Sequence, residues 1–432
     1  MPIQSKKVAV IGAGPMGLAV AYQLVKDGFQ PVIFEADDRI GGMSAAFDFG
    51  GLTIERYYHF LCTSDRGYIE LIHELGLSEK LHWCPTKMGY FYKGKTHPWG
   101  NPWALMIFPH LNLLSKFRYA LHMFLSIKRK NWKELDHLHA TQWLKSWVGN
   151  HAFEVLWKKL FEYKFYKFSD KLSAAWIWSR IHRVGNSRYN LLKEKFGYLE
   201  GGSITLLDKM REYIENHGGE IRLSNPIQKI LIENGSVRGV LSHDQEHAFS
   251  RVICTVPLPY VSKLIPNFPK KYIDMYNNIE NIAVVCVIVK LKKNISGNFW
   301  LNVNDPTMDI PGLVEYTNLY PMRDTIVYVP FYMPGDHPKY LDSNDQFKEK
   351  VRSYIQKINP NIIDRDFIDI FVSRYKYSQP VCPPGFLDLL PPVDGVIKGL
   401  SIADTSYYYP QDRGISESID FGRKMAHQVT IE

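Results

Sequence analysis

The 432-residue sequence has little cysteine and no long apolar run, and both shortages narrow what it can be. Its five cysteines, Cys62, Cys84, Cys254, Cys286 and Cys382, are scattered, odd in number and never spaced C-x-x-C. That pattern supports neither a disulfide framework nor a zinc site, and it fits a reducing compartment. The longest apolar run, residues 282–289, stops at Lys290 and falls far short of the ~20 residues that a membrane-crossing helix needs. A strand-like run begins within about seven residues of Met1, which leaves no room for a signal peptide and predicts a cytoplasmic protein.

Apolar residues are plentiful at 45%, enough for two domains with cores of their own. The most informative stretch is residues 7–43. Val8 to Ile11 is a β-branched run of buried-strand character that stops at Gly12, Gly14 and Gly17, a G-x-G-x-x-G turn. The first glycine permits the tight turn, the second lets a pyrophosphate approach the backbone, and the third lets the next helix pack close. Leu18, Ala21, Tyr22 and Val25 share one helical face, so residues 16–27 are predicted to be a helix ended by Gly28, its N-terminus aimed at the phosphates. A second strand over residues 31–34 delivers Glu35 18 residues after Gly17, where a carboxylate can accept hydrogen bonds from an adenosine ribose.

Arg39, Gly41 and Gly42 extend this unit as E-x-x-x-R-x-G-G, and here the chain resembles the flavin-containing amine oxidase and protoporphyrinogen oxidase superfamily. The resemblance implies an α/β fold: a Rossmann-type FAD-binding domain of the glutathione reductase-like, two-dinucleotide-binding-domain class, with an α+β substrate domain and a helical insertion. It implies non-covalent FAD along Gly12, Ala13, Gly14, Pro15, Met16 and Gly17, then Glu35, Ala36, Arg39, Gly41, Gly42, Met43 and Ser44. Tyr58, His59 and Phe60 would border the isoalloxazine ring. His59 is the candidate catalytic residue, because it changes charge near neutral pH, against the plainer reading of a packed histidine among aromatics. The turn Gly197 to Ser203, the helix ending at His217-Gly218-Gly219 and the strand from Glu220 match the family's return to the FAD domain, with Ile227 at the adenine. Strands are expected at residues 230–232, 237–241 and 252–256.

At the end of the chain Asp404 closes a strand, and Arg413, Gly414 and Ile415 open a helix running to about Val429. By resemblance the acid binds ribityl or phosphate oxygens. The same resemblance implies that the helix start faces the flavin N1 and O2, where the positive dipole end favours negative charge in the reduced ring. Relatives often carry Gly before this acid, whereas this chain has Ile402-Ala403-Asp404. Cys382 lies in the loop Val381-Cys-Pro-Pro-Gly385 without the pattern of covalent flavin attachment.

Residues 97–196 hold 17 Lys and Arg against 6 Asp and Glu, with eight of the ten tryptophans. Trp143, Leu144 and Trp147 share one helical side, as do Leu156, Leu160 and Tyr163. This helical insertion is expected to be a substrate lid, a peripheral membrane contact or a solvated basic face. Residues 121–132 have the apolar start and cationic end of an interfacial helix, and no nucleic-acid module accompanies the charge. The expected division is 1–95, 197–260 and 381–432 for the FAD domain, 96–196 for the insertion and 261–380 for the substrate domain. Strand-like runs at 281–292, 312–316 and 325–332 and a helix over 345–358 make up the latter. Its wall opposite the flavin would be aromatic, from Trp300, Tyr316, Tyr320, Tyr328, Phe331 and Tyr332.

The leading functional expectation is an oxidoreductase moving hydride from a substrate C–H, beside nitrogen or on an alicyclic or isoprenoid carbon, to flavin N5, with oxygen or a quinone as final acceptor. A mutase resembling UDP-galactopyranose mutase, and a flavoprotein that binds a partner or membrane without turnover, are the alternatives.

Overall fold

The computed structural model describes residues 6–190 and 192–431, with the side chains of 429–431 left out. At its centre is a five-stranded parallel sheet in the order Glu220–Arg222, Gln30–Phe34, Lys7–Ile11, Val252–Cys254, Leu400–Ile402. Ala9 registers against Val252, and Val252 against Leu400, so one sheet draws together the beginning, middle and end of the chain. Two of these strands explain their apolar runs: Val8 to Ile11 and Val32 to Phe34 are buried on both faces. The helix Pro15–Lys26 follows the first strand, packs on the closing helix Ile415–Ile431, and with the sheet forms the expected α/β Rossmann-type domain.

The second layer is a seven-stranded sheet in the order Phe367–Pro380, Asn281–Leu291, Thr325–Pro334, Gly312–Glu315, Trp300–Asn304, Met88–Tyr92, Lys95–Trp99. The helix Asn344–Ile358 buries Phe347, Val351 and Ile355 beneath it, and a capping box between Ser343 and Gln346 fixes its start. The expected division at 95/96 falls inside the last strand of this sheet. Lys93 and Gly94, both at positive φ, make a two-residue turn that returns the chain antiparallel, and Met88–Tyr92 pairs in parallel with Trp300–Asn304. Residues 88–99 are therefore built into the substrate sheet. At the other end of the insertion, Lys193–Leu199 pairs with Leu81–Thr86.

Between these strands lie the helices Pro102–Ile107, Leu113–Lys128, Lys133–Asp136, Ala140–Leu156, Lys158–Phe165 and Ala174–Asn186. Trp143, Leu144, Trp176 and Trp178 form their core, and Gly149 at φ 81° kinks the fourth of them. No helix among the described residues is long and apolar enough to cross a membrane.

The aromatic wall divides by strand periodicity. In Thr325–Pro334, Tyr328 and Tyr332 share the face toward Tyr58, whereas Phe331 points the other way, its ring 5.0 Å from Phe347. Phe331 therefore cannot belong to the expected wall.

Candidate active site

The glycine turn shows three different needs at its three glycines. Gly12 adopts φ 102°, and its N–H donates to the Phe34 carbonyl at 2.9 Å, which closes the turn after the first strand. A Cβ at Gly17 would lie 1.9 Å from the Gly12 carbonyl oxygen, so only glycine lets the helix sit this close. A Cβ at Gly14 would meet nothing within 4 Å, because Gly14 faces open space. That space is a cavity of about 740 Å³ running between the two sheets. The helix starting at Pro15 has no side-chain cap, so its first N–H groups are free to receive an anion there.

Two acids on the cavity wall are held by backbone N–H groups. Glu35 accepts from the Ala13 N–H at 2.7 Å and from the Asp37 N–H at 2.8 Å, so it secures the turn while lining the cavity. Asp404 accepts from the N–H groups of Leu258 at 2.9 Å and Ser406 at 2.8 Å. Burial pushes both carboxyls up from their ordinary values, and these backbone bonds work against it. Despite Ala403 in place of glycine, Asp404 still reaches the cavity.

Of the residues expected at the cofactor, Gly12, Gly14, Pro15, Met16, Glu35, Ala36, Gly42, Met43, Ser44, His59, Ile227, Asp404, Arg413, Gly414 and Ile415 line this one cavity. Ala13, Gly17 and Gly41 lie behind it: the Gly41 N–H donates to the Ala13 carbonyl at 2.8 Å, and Gly17 supports the turn. Arg39 is turned away, held by Asp38 at 2.6 Å and by the Ala46 carbonyl at 3.2 Å. Its neighbour in sequence captures it, and Arg56, paired with Asp37, stands at the cavity instead. Tyr58 packs edge-on to Trp300 and Tyr328, and Phe60 lies among Phe196, Phe299 and Arg183, so both support the wall without lining the cavity.

Sequence reasoning missed several lining residues, among them Arg56, Thr255, Tyr260, Tyr375 and Tyr377. The last two alternate on the strand Phe367–Pro380, a signal that was available, but their arrival here depends on pairing with a strand about ninety residues earlier in the chain.

His59 lines the cavity and directs Nδ1 to Glu55, a carboxylate only 5% exposed that also accepts from the Ser203 N–H at 2.7 Å. In the neutral imidazole, an Nδ1–H given to Glu55 leaves Nε2 as an acceptor. At the same end, Arg413 precedes the closing helix, whose first turn is tied by Ser418 donating to the Gly414 carbonyl, N to O at 3.0 Å and Oγ to O at 2.8 Å. Asp412 receives Arg180 through two bonds of 2.8 and 3.0 Å and Gln379 at 2.8 Å. Lys164 reaches this cluster from the insertion. Burial, with Arg180 and Arg413 nearby, pushes its ammonium down to about 7.

These residues fit FAD. An open glycine cradle and helix start suit a pyrophosphate, Glu35 an adenosine ribose, Asp404 the ribityl-phosphate stretch and the second helix start an electron-rich ring edge. No cysteine lines the cavity, and Cys382 is buried elsewhere with its thiol pushed up by burial.

A family model for flavin containing amine oxidoreductases matches residues 17–407. The 15-cis-phytoene desaturase of Solanum lycopersicum is 25% identical over 308 residues, which cover 66% of this chain and 52% of the desaturase. Protoporphyrinogen oxidase 2 of Arabidopsis thaliana is 32% identical over 132 residues, 30% of this chain and 26% of that protein. The chain thus spans about half the length, or less, of these curated relatives. An Exiguobacterium protein, provisionally named a protoporphyrinogen oxidase, shares the fold with a TM-score of 0.78 at 19% identity over 99% of both chains. With cavity, fold and a match over most of its length in agreement, the chain belongs to the flavin-containing amine oxidoreductases and holds FAD without a covalent link.

Proposed function

We propose that the protein is an FAD-dependent oxidoreductase that takes hydride from a substrate C–H bond while resting on a membrane surface. The observation that carries the redox reading is His59 on the cavity wall, backed by the buried Glu55 and by the packed aromatics Tyr58 and Tyr328. Bound FAD supplies the hydride acceptor, at N5. The chain's own residues orient the site: the packed rings hold the wall that carries His59, His59 Nε2 can hold the proton that leaves substrate, and the start of Ile415–Ile431 favours negative charge at that end. Relatives named for desaturation and for oxidation are in keeping with this chemistry.

Anaerobic titration of the yellow protein with candidate amines, isoprenoids and tetrapyrroles tests it. Bleaching of the flavin by one of them is expected, and His59→Ala should slow it by about 100-fold. Turnover seen only after prior reduction would support the sugar-nucleotide mutase instead, and a spectrum unmoved by every class would favour a binding protein.

The membrane reading rests on the helix Leu113–Lys128, which is turned inside out. Ser115, Lys116, His122 and Ser126 are buried, while Leu113, Leu114, Phe117, Leu121, Phe124 and Leu125 form an exposed stripe, Leu113 at 74%. Exposed Trp103 and Met106 on the preceding helix Pro102–Ile107 add to the apolar surface, and no Asp or Glu occurs between residues 81 and 133. A stripe of apolar side chains ending in cations suits a headgroup boundary. The interfacial segment expected at 121–132 is thus the last turns of a longer helix, with Arg129 beyond it tied to Glu134 at 2.8 Å. Apolar insertion outweighs charge here: each inserted Leu or Phe contributes up to ~2 kcal/mol against ~1 kcal/mol per cation. Vesicle sedimentation should accordingly show binding to anionic vesicles that salt and Lys128→Glu/Lys130→Glu reduce several-fold and that Leu114→Glu/Phe117→Glu abolishes. Undiminished binding of the second pair would refute the assignment.

A further inference from the structure

The helix Lys158–Phe165 carries Lys164 over the strand Thr325–Pro334, with Nζ 5.0 Å from the centre of the Tyr332 ring and 5.6 Å from that of Phe165. Among the described residues it has no hydrogen-bond or ion-pair partner. Arg413, on the cavity wall, has a buried Nη1 that is likewise without a partner. The acid beside them is already saturated: Asp412 accepts from Arg180 Nε and Nη2, from Gln379 Nε2 and from the Arg413 N–H, all between 2.8 and 3.0 Å. Arg180 is further held over the Trp176 ring at 3.8 Å. The next acid, Glu417, has its carboxyl pushed up to about 7 by burial, against the pull of Arg183, so it is a poor counter-ion at neutral pH. Three cations therefore share one carboxylate in a half-buried aromatic setting, and two of them have donors to spare, Arg413 Nη1 a buried one.

A buried donor without a partner is penalised, and Arg413 Nη1, with the unpaired Lys164 beside it, calls for an anion that the chain does not supply. We propose that Lys164 and Arg413 receive a carboxylate of the substrate at the end of the cavity where the closing helix begins. A protonated amine placed there would face the excess positive charge of three cations around one carboxylate, which separates this site from one that binds a cationic amine head. Two side-chain donors suit one singly charged carboxylate. A phosphate, with roughly two charges, requires a fuller donor set. The proposal rests on the FAD-dependent reading above for what else fills the cavity.

The test uses the yellow protein with three small probes, benzoate, benzylamine and phenyl phosphate, followed by equilibrium dialysis and by perturbation of the flavin's visible spectrum, so that no turnover is needed. Benzoate should bind more tightly than phenyl phosphate, and benzylamine should not bind. Lys164→Met should weaken benzoate at least ~10-fold, the loss expected for a charge-assisted bond, while Lys164→Arg retains most of the affinity. Lys164→Glu should turn the preference toward benzylamine. Unchanged FAD content and melting temperature in each variant separate loss of the site from loss of the fold, and the native comparison of benzoate with benzylamine stands even if a variant does not fold. Equal binding of benzylamine and benzoate, tighter phenyl phosphate, or benzoate affinity untouched in Lys164→Met would overturn the proposal. Selective benzoate binding by a yellow protein that oxidises nothing would leave this site standing and remove the oxidoreductase reading; a colourless protein would remove both.

Discussion

Replacing Gly14 with leucine should yield a folded but colourless protein, whereas replacing Gly17 with alanine should damage the fold as well. The two glycines sit three residues apart and fail for different reasons. A side chain at Gly14 meets no protein atom within 4 Å, and its backbone φ of −69° suits any residue, so the apo fold has nothing to lose. What it would occupy is the space where the pyrophosphate must approach the turn, and FAD affinity should fall by 100-fold or more, at least ~2.7 kcal/mol. At Gly17 the added methyl would lie 1.9 Å from the Gly12 carbonyl oxygen, a backbone atom that cannot rotate away. Relief requires the first helix to move off the sheet, at a cost of about 3 kcal/mol or more. Melting temperature and FAD content measured on both variants check this: a Gly14→Leu protein that stays yellow, or a Gly17→Ala protein as stable as the native one, would contradict it.

Asp412→Ala should be the most damaging single change at the other end of the cavity. Burial alone would raise this carboxyl, but Arg180, Lys164 and Arg413 hold it well below the ordinary carboxylate range. Removing it leaves three neighbouring cations without their counter-ion, and breaking such a pair costs about 3 kcal/mol. The pH dependence has a definite sign. Because the folded-state pKa is depressed, the stabilisation from Asp412 is complete above the unfolded value near 4 and is lost as pH falls below it. Asp412→Asn should therefore be markedly less stable than native protein at neutral pH, and the difference should shrink on acidification. Denaturant midpoints recorded from pH 7 down to pH 3 measure it, and a gap that widens in acid would refute the assignment.

The parts of the site legible in the sequence were those encoded at short range. The glycine turn, its helix and Glu35 are fixed by spacing within one βαβ unit: Gly12 makes the turn, Gly17 admits the helix and Gly14 faces open space. Elsewhere the chemistry depends on which distant strands pair. Tyr375 and Tyr377 reach the cavity only because Phe367–Pro380 lies beside Asn281–Leu291, and Lys164, Arg180 and Asp412 converge from three separate elements. Local competition hid one exchange: Asp38 takes Arg39, and Arg56 stands at the wall in its place. Periodicity also carries no label for inside and outside. The apolar stripe of Leu113–Lys128 is plain in the sequence, but only the packing of Lys116 and His122 shows that it faces outward.

The occupant of the cavity decides every role assigned to its lining. The direct measurement is the visible spectrum of the purified protein, followed by acid precipitation and quantitation of the flavin released. The account predicts a yellow protein carrying close to one FAD per chain, all of it in the supernatant after acid and absent from Gly14→Leu. A colourless protein that FAD cannot restore, or colour that stays with the precipitate, would contradict it.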